Sequence, residues 1–187
     1  MVWAWNKPEF KQYELPVGYE NESAVILARH QHIEATSKNR FRMNALLFGD
    51  INRELYYTNI DRRMVKINDL SALTEFSELS FREEAKISGY MRSNRLRTVV
   101  GARVIKPDGS VVEVAIDEEA VAMTEGRKEK ETLKKVAIPG LQVGDILDYF
   151  VCDEMELETY NVPPEIFTFF GQYPVLKYSI HCEFGNK

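Results

Sequence analysis

The sequence predicts a mainly β protein, an antiparallel β-sandwich with one short helix near residues 69–77, and three observations carry that prediction. Short runs rich in Val, Ile, Tyr and Phe alternate with turn signals along most of the chain. The run from Leu176 to Phe184 places apolar and polar residues at alternate positions, as an antiparallel strand with one buried and one solvated face requires. Helical spacing occurs in one segment, although about a third of an average globular chain is helical.

The N-terminal segment, residues 1–22, contains aromatic residues and prolines without periodicity. It is predicted to be an extended arm that precedes a single domain over residues 23–187. Asn21-Glu22-Ser23 matches the acceptor pattern for N-glycosylation, but a turn before the first strand is the simpler interpretation.

Three strands are predicted in the first part of the domain. Residues 24–35 form the first and residues 41–48 the second, which ends at the turn signal Gly49-Asp50. The third covers residues 55–67, where the apolar positions change parity after Met64. Because strand side chains repeat with period two, this change predicts a β-bulge or a change of the exposed face.

A helix and a hairpin follow. Asp69 can cap a helix over residues 70–76, in which apolar residues lie three apart. Residues 98–105 and 111–116 are β-rich and flank Pro107-Asp108-Gly109. Proline fixes φ, aspartate closes a local turn and glycine accepts positive φ, so this segment predicts a β-hairpin.

The C-terminal part predicts further strands. Residues 136–138 and 146–151 are joined by a tight connection at Pro139-Gly140. An aromatic run, residues 166–170, precedes the alternating strand over residues 176–184.

Composition excludes several classes of function. The chain has 187 residues, 44% hydrophobic and 28% charged, which is typical of a globular protein and not of a disordered one. Its net charge of −5 gives no broad attraction to phosphate backbones, so nucleic acid is not expected as a partner. No apolar run approaches the roughly 20 residues that cross a bilayer, so no membrane span is expected. The N-terminus lacks a signal-peptide layout, which leaves either a cytoplasmic protein or one whose signal has been removed.

Histidines give a weak indication of a metal site. His30 and His32 are two apart and project from one face of a strand, and His181 could supply a third ligand. Nothing in the sequence brings His181 near the other two. The sequence therefore favours solvated strand histidines over a metal centre.

Two cysteines are too few for a disulfide scaffold or a four-thiolate zinc site. Cys182 has the parity of the apolar face of its strand, which predicts a buried, inert thiol. Cys152 precedes Asp153-Glu154, whose charge disfavours its thiolate. A disulfide between the two cysteines requires their strands to pair, and the sequence does not decide this.

Charged clusters are most simply solvated surface. These are the acidic residues 153–158, the mixed run 127–131 and the basic residues Arg92, Arg95 and Arg97. No phosphate-binding glycine loop and no Gly-x-Ser-x-Gly elbow occurs. The sequence thus predicts no catalytic residue, no cofactor and no metal site.

Aromatic residues cluster near the C-terminus: Tyr160, Phe167, Phe169, Phe170 and Tyr173. Bulky apolar groups on both parities of residues 166–170 predict a segment covered on both sides. The cover is either the core of the sandwich or a neighbouring domain.

Four stretches together carry a family resemblance over about residues 21–184. They resemble the domain of unknown function that lies N-terminal to transglutaminase-like domains in secreted proteins of Bacteroides-type bacteria. The stretches are Asn21 to Leu27, Arg103 to Val111, Val136 to Ile146 and Phe167 to Val175.

The resemblance implies an immunoglobulin-like β-sandwich and export to the periplasm or cell surface. The cysteine, histidine and aspartate of the transglutaminase-like domain lie downstream of the matched region, so the resemblance implies no catalytic residue here and an accessory role. Family members continue well past the position of Phe184. The chain is therefore expected to be either a piece of a longer protein or a short relative without the enzyme domain.

Three functions are open at this point. The first is a non-catalytic module that positions a C-terminal transglutaminase-like domain or contacts its substrate. The second is a free-standing carbohydrate- or peptide-binding module, which exposed aromatic residues beside polar groups would favour. The third is a small hydrolase using Cys152 or Cys182, which neither sequence environment supports.

Overall fold

The structure is a computed structural model that describes residues 7–43, 49–89, 92–116, 120–123, 131–157, 166–169 and 171–186. Within these residues the chain is mainly β, with one α-helix and one turn of 3-10 helix at Pro8–Lys11. The helix, α1, is Leu70–Phe76. The strands are β1 Ala24–Met43, β2 Gly49–Ile67, β3 Glu78–Gly89, β4 Arg92–Ile105, β5 Val111–Glu113, β6 Ala120–Met123, β7 Glu131–Ala137, β8 Ile146–Leu157 and β9 Tyr178–Asn186.

These strands form one mixed sheet in the order β6-β7-β3-β4-β8-β2-β1-β9, with β5 paired to β4. All its ladders are antiparallel except β1 with β9, which run parallel. The expectation of an antiparallel sheet is therefore wrong at this edge. Strands β8 and β9 therefore run in the same direction on either side of β2 and β1. Strands that follow each other in the chain and run in the same direction need a connection of about a dozen residues or more, and residues 158–177 supply that length.

The two faces of the central strands have different neighbours. One, the grooved face, carries alternate residues such as Arg29, Asp61 and Tyr149, and the other, the arm face, carries His30, Arg62 and Asp148. Both faces are apolar near the end of the sheet where β2 meets α1. Consecutive residues Met64 and Val65 are both fully buried there, in separate apolar clusters on opposite faces.

On the grooved face, the sheet curls so that β3 and β7 pack over the central strands. Leu79 of β3 and Val136 of β7 join one cluster with Val65, Leu147 and Tyr149. On the arm face, the N-terminal arm supplies the cover through Phe10, which packs in a second cluster with other apolar side chains. Those side chains are Val25, Leu27, Ala28, Met64, Ile105 and Ile146.

The predicted helix and hairpin are confirmed. Asp69 caps α1, since its carboxylate accepts a hydrogen bond from the Ala72 amide at 2.9 Å. At the β4–β5 turn Gly109 has φ +84°, and Asp108 accepts from the Ser110 amide at 2.9 Å. Asn21 lies in a turn before β1, as expected.

Several predicted strands differ from the structure. Residues 41–43 belong to β1, which extends to Met43, while 44–48 lie outside the described residues. The bulge lies in β1 between Ile26 and Ala28, opposite the parity change of β2, because two β1 residues there oppose one residue of β2. Residues 166–169 are not a strand.

The alternating face of β9 is buried only in part. Tyr178 and Ile180 are half-buried, but Cys182 and Phe184 are exposed, because β9 lies at the edge of the sheet. Among the described residues no helix is long and apolar enough to cross a bilayer.

Candidate ligand groove

A groove runs across the grooved face, at the place where that face changes from apolar to polar. Two lobes, of about 350 and 390 Å³, share Arg63, Leu79, Ser80 and Tyr149. Their combined size is in the range of small-ligand sites. The first lobe is also lined by Gln31, Asn59, Asp61, Phe81, Val100, Val151 and Asp153.

At the centre of the groove, Asp61 lies between two arginines. Arg29 donates to it from Nε at 3.1 Å and Nη2 at 2.8 Å, and Arg63 from Nε at 3.2 Å and Nη2 at 2.8 Å. Arg29 and Asp61 are diagonal neighbours on paired strands, which places them within reach of each other. Burial alone would raise the pKa of Asp61, but the hydrogen bonds from Arg29 and Arg63 outweigh it and lower that pKa.

A tyrosine ring and a chain of hydrogen bonds fix the floor beside this network. The guanidinium of Arg29 lies over the Tyr178 ring, 4.6 Å from its centroid. The Tyr178 hydroxyl donates to the Gln31 side chain at 2.8 Å, and the Gln31 amide donates to Asn59 at 3.3 Å. Burial raises the pKa of Tyr178 and of Tyr149, so both hydroxyls stay protonated at neutral pH.

The second lobe is bounded by α1 and by residues from the aromatic segment, including Phe76, Thr168, Phe169, Gln172 and Tyr173. Phe169 is 59% exposed, and its ring centroid is 5.3 Å from that of Tyr178. The expectation that this segment is covered on both sides is therefore wrong for Ile166 and Phe169, whereas Phe167 packs against the cluster around Ile33 and Tyr57. Tyr160 and Phe170 lie outside the described residues.

A second charged network lies on the arm face and is buried. Asp148 accepts hydrogen bonds from Arg62 at 3.0 and 2.8 Å and from Arg103 at 2.9 and 2.8 Å. Phe10 closes it, because its ring lies 4.0 Å from the Arg62 guanidinium carbon. Arg62 and Asp148 are closed to solvent, so a ligand cannot reach this pair in the folded protein.

The structure brings the three histidines together. In the parallel β1–β9 ladder His32 pairs with His181, and their rings stack with centroids 5.1 Å apart. His30 is 2% exposed and makes a 2.7 Å hydrogen bond to Ser179, so it is not the solvated histidine that was expected. Burial, with a smaller effect from Lys7, lowers its pKa to about 4. No group of three metal-ligating side chains occurs in the part of the chain that the structure describes.

The cysteines lie apart and outside the groove. Cys152 is buried beside Phe150 and Ile60, and burial, with the charges of Glu154 and Asp153, raises its pKa to about 11. Cys182 is exposed, so its predicted burial is wrong. Their strands are separated by β2 and β1, roughly 14 Å at the usual strand spacing, which excludes a disulfide in this fold.

In the charged clusters, Arg97, Glu154 and Glu156 are solvated. Arg97 and Glu154 form an exposed pair at 3.9 Å, and Glu156 is exposed. Asp153 differs, because it accepts a hydrogen bond from Thr98 at 2.5 Å on the edge of the first lobe. Arg92 and Arg95 lie on β4. Residues 127–130 and Glu158 are outside the described part of the chain.

Sequence reasoning missed the groove. Arg29, Asp61 and Arg63 occur in ordinary strand sequences, and only the register of β1 against β2 brings them together. One signal was present: Asn59, Asp61 and Arg63 interrupt a parity of the strand that is otherwise apolar from Leu55 to Ile67.

Comparisons with known proteins find similarity at the level of the fold. No protein-family model matches this chain, and no curated protein matches it. A crystal structure from Parabacteroides distasonis ATCC 8503, described as a "putative protease", matches 75% of this chain at 10% identity with a TM-score of 0.50. The match covers 24% of that protein, so this chain spans about a quarter of its length. The likeness is one of fold: about three quarters of this chain has the same fold as part of that larger protein.

Proposed function

We propose that this chain is a non-catalytic accessory module of an exported protein with a transglutaminase-like domain, and that it contacts the peptide substrate of that domain through the groove. The observation that carries the proposal is the groove itself, where a rigid polar centre at Arg29, Asp61 and Arg63 lies beside the exposed ring of Phe169. Convergent polar groups in an otherwise apolar concavity are typical of a binding site.

The chemistry of the groove supports binding better than catalysis. Neither cysteine lines it, and Asp61 is held in its charged form by two arginines, which makes it a poor proton acceptor. The other groups that line the groove are amides, hydroxyls, guanidiniums, aromatic and aliphatic side chains and the rim carboxylates Asp153, Glu75 and Glu78, which can hold and orient a ligand.

Two further observations support the proposal, one on the longer protein and one on the fold. The Parabacteroides structure contains this fold as about a quarter of its chain. The curl that packs β3 and β7 over the central strands supports the immunoglobulin-like β-sandwich implied by the sequence resemblance. Periplasmic or cell-surface localisation is part of the proposal and rests on that resemblance alone.

Peptide binding tests the proposed role of the groove. We expect short peptides with blocked termini to bind the chain in calorimetric titrations, because the groove offers polar partners for peptide groups beside the exposed ring of Phe169. Phe169→Ala removes the exposed ring at the groove and should weaken binding. Val17→Ala, which truncates an exposed apolar residue of the N-terminal arm, should leave binding unchanged.

The coding sequence on both sides of the chain tests the accessory role. The proposal requires a signal peptide upstream and a domain with cysteine, histidine and aspartate downstream. A gene that encodes neither would refute it and leave a free-standing binding protein.

A carbohydrate ligand is the second candidate, favoured by one specific observation. The Phe169 and Tyr178 rings meet at 52° beside hydrogen-bonding side chains, and sugar rings stack on such aromatic faces. Binding of neutral oligosaccharides, with no binding of peptides, would select this function over the first.

A further inference from the structure

We propose that Arg29 and Arg63 form a carboxylate-binding point at the centre of the groove, which takes a single acidic side chain of the bound peptide. The inference rests on the proposed function, because it specifies the chemistry of the peptide that the groove contacts.

The two guanidiniums are held in place before any ligand arrives. Asp61 accepts from Nε and Nη2 of both arginines, and the Tyr178 ring lies under the guanidinium of Arg29. A guanidinium carries five N–H donors. Asp61 accepts hydrogen bonds from two of them on each arginine. Arg29 Nη1 is directed to the Thr168 carbonyl at 3.4 Å, a long contact that a stronger acceptor can replace.

The local charge is also unbalanced in favour of an anion. Two arginines and one aspartate leave one positive charge at the point where the lobes meet. Arg29 and Asp61 are largely buried, and Arg63 is 35% exposed, so Arg63 is the accessible member. In this partly desolvated setting a carboxylate interacts more strongly with the guanidiniums than it would in water.

The rim of the groove limits how much negative charge a ligand can carry. Asp153 lines the first lobe, and Glu75 and Glu78 line the second. Among the described residues, Glu78 pairs with Lys135 at 2.6 Å, while Asp153 and Glu75 accept hydrogen bonds from the neutral hydroxyls of Thr98 and Tyr173. The acidic rim therefore repels a polyacidic ligand, and the groove fits one carboxylate flanked by residues without negative charge.

A peptide fits the remaining surface better than an acidic sugar does. Leu79, Phe81, Val100 and Val151 give the first lobe an apolar lining for side chains. The Gln31 amide donates to Asn59 and accepts from Tyr178, and its second N–H and second lone pair can hydrogen-bond peptide groups. A uronic acid would place several hydroxyls against the apolar residues.

Matched peptides test the inference. The probes are short peptides with blocked termini and mixed flanking residues, which differ only in carrying Glu or Gln at one central position. We expect calorimetric titration to show about tenfold tighter binding of the Glu peptides, the worth of one charge-assisted pair. Added salt should reduce that advantage, because Arg63 is partly exposed.

Variants locate the effect. Arg63→Gln should lower the affinity for Glu peptides to that for Gln peptides, and Arg29 remains in that variant to pair with Asp61. Arg97→Gln is the matched control, because it removes an exposed arginine that does not line the groove. If Arg63→Gln does not fold, the salt dependence of the Glu preference in the unmodified chain decides the question.

Three outcomes overturn the inference in distinguishable ways. Equal affinity for Glu and Gln peptides removes the carboxylate-binding point and leaves the proposed function intact. Failure of every peptide to bind removes the proposed function as well. The third outcome is that uronic-acid oligosaccharides bind in preference to all peptides and that this binding is lost in Arg63→Gln. It would keep the carboxylate-binding point but show that its ligand is a sugar and not a peptide.

Discussion

At the scale of single residues, the two faces of the sheet use the same arginine–aspartate chemistry for different ends. Asp61 lies in an open groove, whereas Asp148 is fully buried between Arg62 and Arg103. A buried ion pair adds little net stability when it is complete, but removing one partner leaves an uncompensated charge in a medium of low dielectric. The arm-face network is therefore the place where a single change of charge should matter most.

Asp148→Asn is expected to destabilise the protein by about 3–5 kcal/mol, because Arg62 and Arg103 would lose the buried carboxylate that they share. Urea denaturation followed by circular dichroism measures this as a shift in midpoint. Glu78→Gln is the control, since the Glu78–Lys135 pair is exposed on both sides and is worth at most about 1 kcal/mol. Equal losses in the two variants would show that burial of Asp148 does not decide its contribution.

The two cysteines should differ in reactivity. In the folded protein at mildly alkaline pH, iodoacetamide is expected to label the exposed Cys182 and to leave Cys152 largely unlabelled, because burial raises the pKa of Cys152 to about 11. Mass spectrometry of tryptic peptides measures both, and labelling in urea supplies the control. Rapid labelling of Cys152 in the folded state would reopen the hydrolase hypothesis.

At the scale of elements, the sequence predicts what local chemistry determines. The cap of α1 at Asp69 and the turn at Gly109 depend on residues within a few positions of each other, and both are found. The β1–β9 pairing is not predicted, because its partners lie some 150 residues apart and alternation does not distinguish a parallel neighbour from an antiparallel one. The groove is missed for the same reason, since Arg29 meets Asp61 only through strand register.

Strand β3 shows a second limit of the sequence pattern. Residues 82–88 of β3 are mostly charged or small, so they lack the alternation that marks a strand, although β3 pairs with both β4 and β7. Pairing with neighbours on both sides overrides a weak local propensity.

The contact between β4 and β8 depends on a glycine. A Cβ at Gly101 would lie 2.7 Å from Cζ of Phe150 and closer still to Cε1, and Phe150 is itself buried. Gly101→Ala is therefore expected to destabilise the protein by about 1–3 kcal/mol, as overpacking of a core does. Thermal denaturation measures the loss, and Gly171→Ala, which meets no atom within 4 Å, should be close to neutral.

A double substitution separates this steric cause from a backbone effect. Phe150→Leu shortens the side chain that the new methyl group would meet, so Gly101→Ala should cost less in a Phe150→Leu background than in the original chain. Additive losses would mean that the backbone at Gly101, and not the ring of Phe150, resists the substitution.

At the scale of the whole molecule, the N-terminal arm completes the fold. It covers the arm face with Phe10, and Lys177, just before β9, donates to Gln12 at 2.8 Å. Ser179 on β9 donates to Glu9 of the arm at 3.1 Å and also contacts His30 of β1. His30 thus lies in a polar contact between the arm and the first and last strands, with Lys7, His32 and His181 as charged or titratable neighbours.

Acid should weaken the contact between the N-terminal arm and strands β1 and β9. Since burial lowers the pKa of His30 from 6.5 to about 4, the unfolded chain binds a proton between those values that the folded chain excludes. The contribution of His30 to stability is therefore complete above pH 6.5 and is lost as the pH falls towards 4. Urea midpoints measured across that window should fall, and they should fall less steeply in His30→Gln, which cannot take up the proton. His181→Gln removes an exposed histidine of the same group and should keep the original slope. If His30→Gln and the unmodified chain show parallel pH profiles, His30 does not exclude a proton on folding, and the carboxylates alone set the acid sensitivity of the fold.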